Sequence, residues 1–147
     1  MKRKIAGIIV VVVLCLGTSA AQEADKKELG KLAGTWTLKE LTFDGEAHKL
    51  KFNVVFKGNE GRVEGNDSVE SEYAKIKFKI DPTAKPQTMD ITVASGSQTD
   101  ATMEAIYEVK DDELRICAKV FGKGRPKDFA SADGSSVVLL VLTRKTP

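Results

Sequence analysis

A thiol, an imidazole, an acidic cluster and an arginine are the side chains here whose type and spacing could do chemistry. Cys117 alternates with Arg115 and Lys119, and on an extended strand these three project from one face. Basic neighbours on that face favour the thiolate, the nucleophilic form. Once the leader described below is removed, no second cysteine is left to resolve an oxidised intermediate. The plainer reading is a small residue filling a tight place in a strand. His48 is the sole histidine, which excludes a metal site built on several imidazoles. Its neighbours Asp44 and Glu46 read as an exposed loop. Asp111, Asp112 and Glu113 form an acidic hairpin tip; consecutive carboxylates lack the spaced oxygen ligands of a calcium loop, so a solvated turn is expected. Arg125 opens the run Arg125-Pro126-x-x-Phe129. It could meet an anionic ligand group at a cavity mouth or make a structural ion pair, with Phe129 tucked under the domain as a plug. No Gly-x-Ser-x-Gly elbow and no phosphate-binding glycine loop occurs. No catalytic or metal-binding residue is therefore assigned, no cofactor is called for, and the chain reads as a non-enzyme.

The elements that must position these groups are strands. Leu50, Phe52, Val54 and Phe56 alternate with more polar neighbours, as do Ala74, Ile76, Phe78 and Ile80. Met89, Ile91 and Val93 repeat the pattern, followed by Met103, Ala105, Tyr107 and Val109, then Leu114, Ile116, Ala118 and Val120. A period of two gives each strand one buried and one wet face. Turn-forming pairs such as Asp44-Gly45, Gly58-Asn59, Asp81-Pro82 and Asp133-Gly134 separate the segments. About eight strands result, near residues 34–43, 49–57, 60–67, 70–80, 87–94, 101–109, 113–121 and 136–143. Short connections predict antiparallel, up-and-down order, and eight strands close into a barrel that leaves no exposed edge. Residues 22–33 predict a short helix before the barrel domain of residues 34–147. The last strand, Val137 to Leu142, is apolar on both faces. It needs an outer cover, expected from the N-terminal helix, with a second subunit as the alternative.

The first 21 residues have another purpose. Lys2, Arg3 and Lys4 precede an apolar run from Ile5 to Leu16, and Ser19 and Ala21 provide small residues before Gln22. That order predicts a secretory signal cleaved after Ala21, and the run is shorter than the ~20 residues of a spanning helix. Leu14 before Cys15 argues against lipidation, so no membrane anchor is expected after cleavage. The mature chain is expected to be periplasmic or secreted. It would carry 20 basic and 21 acidic residues in place of 23 and 21. With no basic patch in view, nucleic acid is not an expected partner. Cys117 would be the one cysteine left, so burial of a core must hold the domain together.

Gly34-Thr35-Trp36 at the start of the first strand resembles the Gly-x-Trp signature of lipocalins and related calycins. That resemblance implies a Trp36 that plugs the barrel base and a basic residue after the last strand, Arg144, packed over its ring. A wider run resembles a lipocalin-like domain family of uncharacterised activity that recurs in planctomycete and related bacterial proteins. Its pieces are Leu32-Ala33-Gly34-Thr35-Trp36, Asp81-Pro82 with Pro86, Met89-Asp90, Ile106-Tyr107-Glu108, Leu114, Cys117, Arg125-Pro126 with Phe129, and Val141-Leu142-Thr143-Arg144. Ala105 and the turn Lys110-Asp111-Asp112 depart from the family's glycines. The resemblance implies a fold and no activity, and a fold does not dictate function.

Two functions fit an all-β, antiparallel, lipocalin-like barrel. An eight-stranded barrel is either filled by its own side chains or admits one small ligand. In the first reading it binds a small apolar or amphipathic molecule, with Phe52, Phe56, Phe78, Met89, Met103 and Tyr107 as candidate lining. In the second, a filled barrel serves as a structural or protein-interaction module of the cell envelope, with a partner the sequence does not identify. An internal cavity of ~300 Å³ or more separates them.

Overall fold

The computed structural model describes residues 20–146; the expected signal sequence lies outside them except for its last two positions. Helix α1 (Ala20–Leu32) leads into β1 (Gly34–Phe43), β2 (Glu46–His48), β3 (Asn53–Lys57) and β4 (Glu60–Glu64). Helix α2 (Asp67–Tyr73) follows, then β5 (Lys75–Asp81), β6 (Gln87–Ser95), β7 (Thr102–Lys110), β8 (Glu113–Lys119) and β9 (Val137–Arg144). All strand pairs are antiparallel, and β1 pairs with both β3 and β9, which closes eight strands into a barrel. The extra strand, β2, is a short flap on the outer half of β1. Among the described residues no helix is long and apolar enough to cross a membrane.

The predicted alternation sets the inward faces. Val54, Phe56, Phe78, Ile80, Met89, Ile91, Leu114 and Ile116 all lie in one buried cluster. Two predicted strands are corrected. The segment from residue 49 is extended only from Asn53, and Leu50 stays 40% exposed. Residues 70–73, expected to open a strand, end helix α2 instead. Its start is fixed locally. The Asn66 side chain accepts from the Val69 amide at 3.2 Å, and Glu70 reaches back to the amides of Gly65 and Asn66. Reciprocal capping of this kind satisfies the free amides that a helix start exposes. The far end of α2 is held by the β6–β7 turn, where Ser97 and Gln98 donate to the carbonyls of Ser71 and Glu72. Gly96 lies there at φ +117°, and a Cβ on it would collide with the Glu72 carbonyl.

One end of the barrel is sealed. Trp36 is fully buried, its indole Nε1 donates to the Leu32 carbonyl at 2.8 Å, and the Arg144 guanidinium lies 4.3 Å from the ring centroid. Arg144 also donates to the carbonyls of Ala33 and Lys31 at 2.9 and 2.6 Å. A cation there satisfies the carbonyls left free by the last turn of α1 and complements the helix dipole. Gly34, at φ +119°, turns the chain from the helix into β1 beside that guanidinium. The three signature residues thus tie the two ends of the barrel strand order together.

The outer cover of β9 is not the N-terminal helix, which closes the barrel end through Leu29 and Leu32. The segment 120–136 does that work. Phe129 packs on Ile106, Cys117, Val137 and Leu139 on the outside of β7, β8 and β9, so Phe129 is no plug of the barrel end. Arg125 pins the segment by donating to the Ala105 carbonyl at 2.7 Å and to Asp90 at 2.6 Å. At its far end the Ser136 amide donates to Asp44 at 2.8 Å. The doubly apolar strand is therefore explained by a loop folded back over it.

Candidate functional site

The interior divides along its axis. The half next to α1 is filled by Trp36, Met89, Tyr107, Leu114 and Leu32, all with essentially no exposed surface. The other half holds a cavity of about 560 Å³ that opens between the β1–β3 connection, α2 and the start of the 120–136 segment. Ligand cavities commonly measure ~300–1,000 Å³, and an apolar void of ~150 Å³ already admits benzene. The expectation of a barrel filled throughout by its own side chains therefore holds for the sealed half alone.

Phe52, Phe56 and Met103 of the expected lining do border this space. Phe78, Met89 and Tyr107 point inward but lie outside the lining. Parity along a strand sets the face a side chain takes, whereas its distance from the open end sets whether it meets cavity or packed core. Leu140, Leu142, Ile116 and Ala118 complete the walls, and Val69 and Tyr73 of α2 roof them, one helical turn apart. The polar lining residues His48, Asn66, Ser68 and Glu72 all come from the open-end connections and not from the depth of the barrel. His48 is exposed on β2, with its ring 6.4 Å from Phe43.

Phe78 meets Phe56 edge-on at 5.4 Å and belongs to the packed region, whereas Phe52 faces the cavity. Phe78→Ala is expected to cost about 3–5 kcal/mol, because it opens a new void in a close-packed place. Phe52→Ala widens a space already empty and is expected to cost about 2 kcal/mol, nearer the transfer cost alone. Urea unfolding of the two variants checks the order; equal losses would contradict this division of the interior.

The chemistry-bearing side chains are otherwise engaged. Cys117 is fully buried beneath Phe129, its Sγ is 3.7 Å from the Ala130 carbonyl, and burial pushes its thiol up from the ordinary range. The neighbouring Arg115 faces Glu113 at 3.0 Å instead of activating it. A maleimide is expected to leave Cys117 unlabelled in the folded protein and to label it fully in denaturant. Rapid labelling of the native state would contradict the burial. Arg125 is a clamp on β6 and β7 and does not face the cavity. Among the described residues no group of three or more His, Cys, Asp and Glu side chains could hold a metal.

At the sealed end Tyr107 is buried beside Glu28, the one buried charged residue among those described, and its hydroxyl has no hydrogen bond of ordinary geometry. Burial first, and then the Glu28 carboxylate, push the phenol well above its usual range. Glu28 itself accepts from Gln87 and pairs with Lys31, both at 3.2 Å. In the unfolded chain a thiol ionises near pH ~8.5 and a phenol near ~10, whereas the fold keeps both protons to higher pH. Above those values the unfolded state binds fewer protons, so stability falls as pH rises. Full stability is expected below about pH 8; the decline above it comes from Cys117 up to about pH 10, and beyond about pH 10 it is shallower in Tyr107→Phe. Identical slopes for the two proteins above about pH 10 in pH-resolved urea melts would contradict this.

Comparison with protein-family models, with curated proteins and with solved structures finds no match for this chain.

Proposed function

We propose that the domain is a binding barrel that holds one small apolar or amphipathic molecule, its polar end toward the open rim. The observation that carries this reading is the cavity of about 560 Å³, apolar in its depth and polar only at its rim. An aliphatic or aromatic body gains ~25 cal/mol for each Å² it buries there. A polar group taken to the bottom finds no partner and loses its hydration, so an amphipathic occupant enters tail first. The walls built by Phe52, Phe56, Met103, Ile116 and Leu140 supply shape; Asn66, Ser68, Glu72 and His48 supply the polar contacts at the rim. The sequence of residues 1–21 supports an exported protein, whose mature N-terminus is expected at Gln22.

Native mass spectrometry on the mature protein from its own envelope tests the reading. An additional small mass at one per chain, lost on denaturation, is the expected result. A bare polypeptide that also fails to take up dodecanoic acid would refute it.

A further inference from the structure

Leu50 and Phe121 are the large hydrophobic side chains that remain exposed among the described residues, at 40% and 63%. Single exposed apolar residues need no explanation, but both of these stand on the rim of the same cavity. They come from different connections, and Phe43, which lines the same cavity, meets the Phe121 ring edge-on at 6.3 Å. The result is an apolar lip continuous with the cavity wall. Lys49 and Lys51 flank Leu50, and Lys123 follows Phe121; all three are exposed. Asp44 and Glu46 also lie on this side, and the Asp44 carboxylate is held by the Ser136 amide at 2.8 Å. The acidic residues Asp67, Glu70 and Glu72 belong to α2, in the β4–β5 connection. In the closed strand order that connection stands across the ring from the β8–β9 connection that carries Phe121. The β1–β3 connection that carries Lys49, Leu50 and Lys51 lies between these two, and its Lys51 carbonyl accepts from the Asn66 side chain at the start of α2 at 3.3 Å; the three lysines flank the two exposed apolar side chains.

We infer that this lip docks on an anionic lipid leaflet and that the occupant of the barrel is loaded from it. This rests on the reading of the barrel as a binding site. Leu50 and Phe121 enter the boundary between headgroups and acyl chains, and Lys49, Lys51 and Lys123 meet the headgroup charge. The carboxylates of α2 are repelled by the same charge, so the leaflet is met at the edges that carry Leu50 and Phe121 and not at α2. An apolar chain then passes from leaflet to cavity along Phe121 and Phe43 without entering bulk water, where each of its methylenes would be unfavourably hydrated.

Flotation of the mature chain with phosphatidylcholine vesicles, with and without phosphatidylglycerol, tests this. The protein is expected to float with the anionic vesicles, to do so less at high salt, and to stay behind with neutral ones. The triple variant Lys49→Glu, Lys51→Glu, Lys123→Glu lies outside the cavity walls. It is expected to lose anionic-vesicle binding by about tenfold or more while taking up a fluorescent dodecyl probe from solution like the parent. The double variant Leu50→Ser, Phe121→Ser is expected to lose flotation as well. A parent protein that binds the probe but never floats would overturn the docking inference and leave the binding barrel standing. Flotation unchanged in the triple variant would also overturn it. A parent that floats but takes up no probe would instead overturn the binding barrel.

Discussion

Trp36→Ala is expected to destabilise the fold by about 3–5 kcal/mol, the range for emptying a buried aromatic site. The residue has no exposed surface. Its indole holds the last turn of α1 through the Leu32 carbonyl, and its ring carries Arg144 at 4.3 Å. Removing it opens the sealed end, leaves that carbonyl without its donor, and takes away a cation–π contact worth ~0.5–2 kcal/mol. A domain of ordinary stability, ~5–15 kcal/mol, would lose a large part of it. Trp36→Phe keeps most of the volume and is expected to cost less, about 1–3 kcal/mol, chiefly for the unsatisfied carbonyl. Arg144→Ala should weaken the same junction from the other side, and the two losses should not add, because the residues are in contact. Chemical denaturation of the three variants and the double variant measures this. A loss under about 1 kcal/mol for Trp36→Ala would mean that the sealed end is not a keystone of the barrel.

The second large effect falls on binding. Ala118 lines the cavity from the open-end part of the β8 inner face, one residue before the strand ends, and is 2% exposed. Ala118→Phe directs a ring into space that nothing fills. The fold is expected to hold or gain stability, by up to about 1–2 kcal/mol, because added apolar surface is buried without displacing protein. The same ring excludes an occupant. Overpacking costs ~1–3 kcal/mol, and each 1.4 kcal/mol is tenfold in affinity, so binding should weaken about ten- to a hundredfold. A thermal melt read beside a probe titration separates the two effects. A variant that is strongly destabilised would show that the wall around Ala118 is already packed; one that binds like the parent would place the ligand elsewhere.

The barrel was legible because its signal is local. Alternation at Phe52-Val54-Phe56 and Leu114-Ile116-Ala118 fixes faces, and the short turns between segments fix antiparallel order. Closure followed from the strand count. The features that escaped depend on contacts distant in sequence or on depth along the axis. Ala74 to Ile80 alternate so cleanly that the pattern extends backward through Glu70 to Tyr73, which in the structure end helix α2. Asn66 followed by Glu70 was the available sign of a capped helix start. One-dimensional patterning shows that Leu139 and Val141 need cover but not what supplies it, so it puts Phe129 at the barrel end and α1 on the outer face of β9. The 11 residues between Cys117 and Phe129 carry no periodicity that would pair them. Depth was the deepest limit: Phe52 and Phe78 are alike in type and parity, and only the path of the closed sheet sets one on the cavity and the other in the core.

The most direct test of the hollow half is a titration of the folded, delipidated protein with a fluorescent dodecyl amphiphile, competed by unlabelled dodecanoic acid. Saturation at one probe per chain, with full displacement by the acid, is the predicted result. A folded barrel that shows no saturable uptake of either molecule would contradict the account.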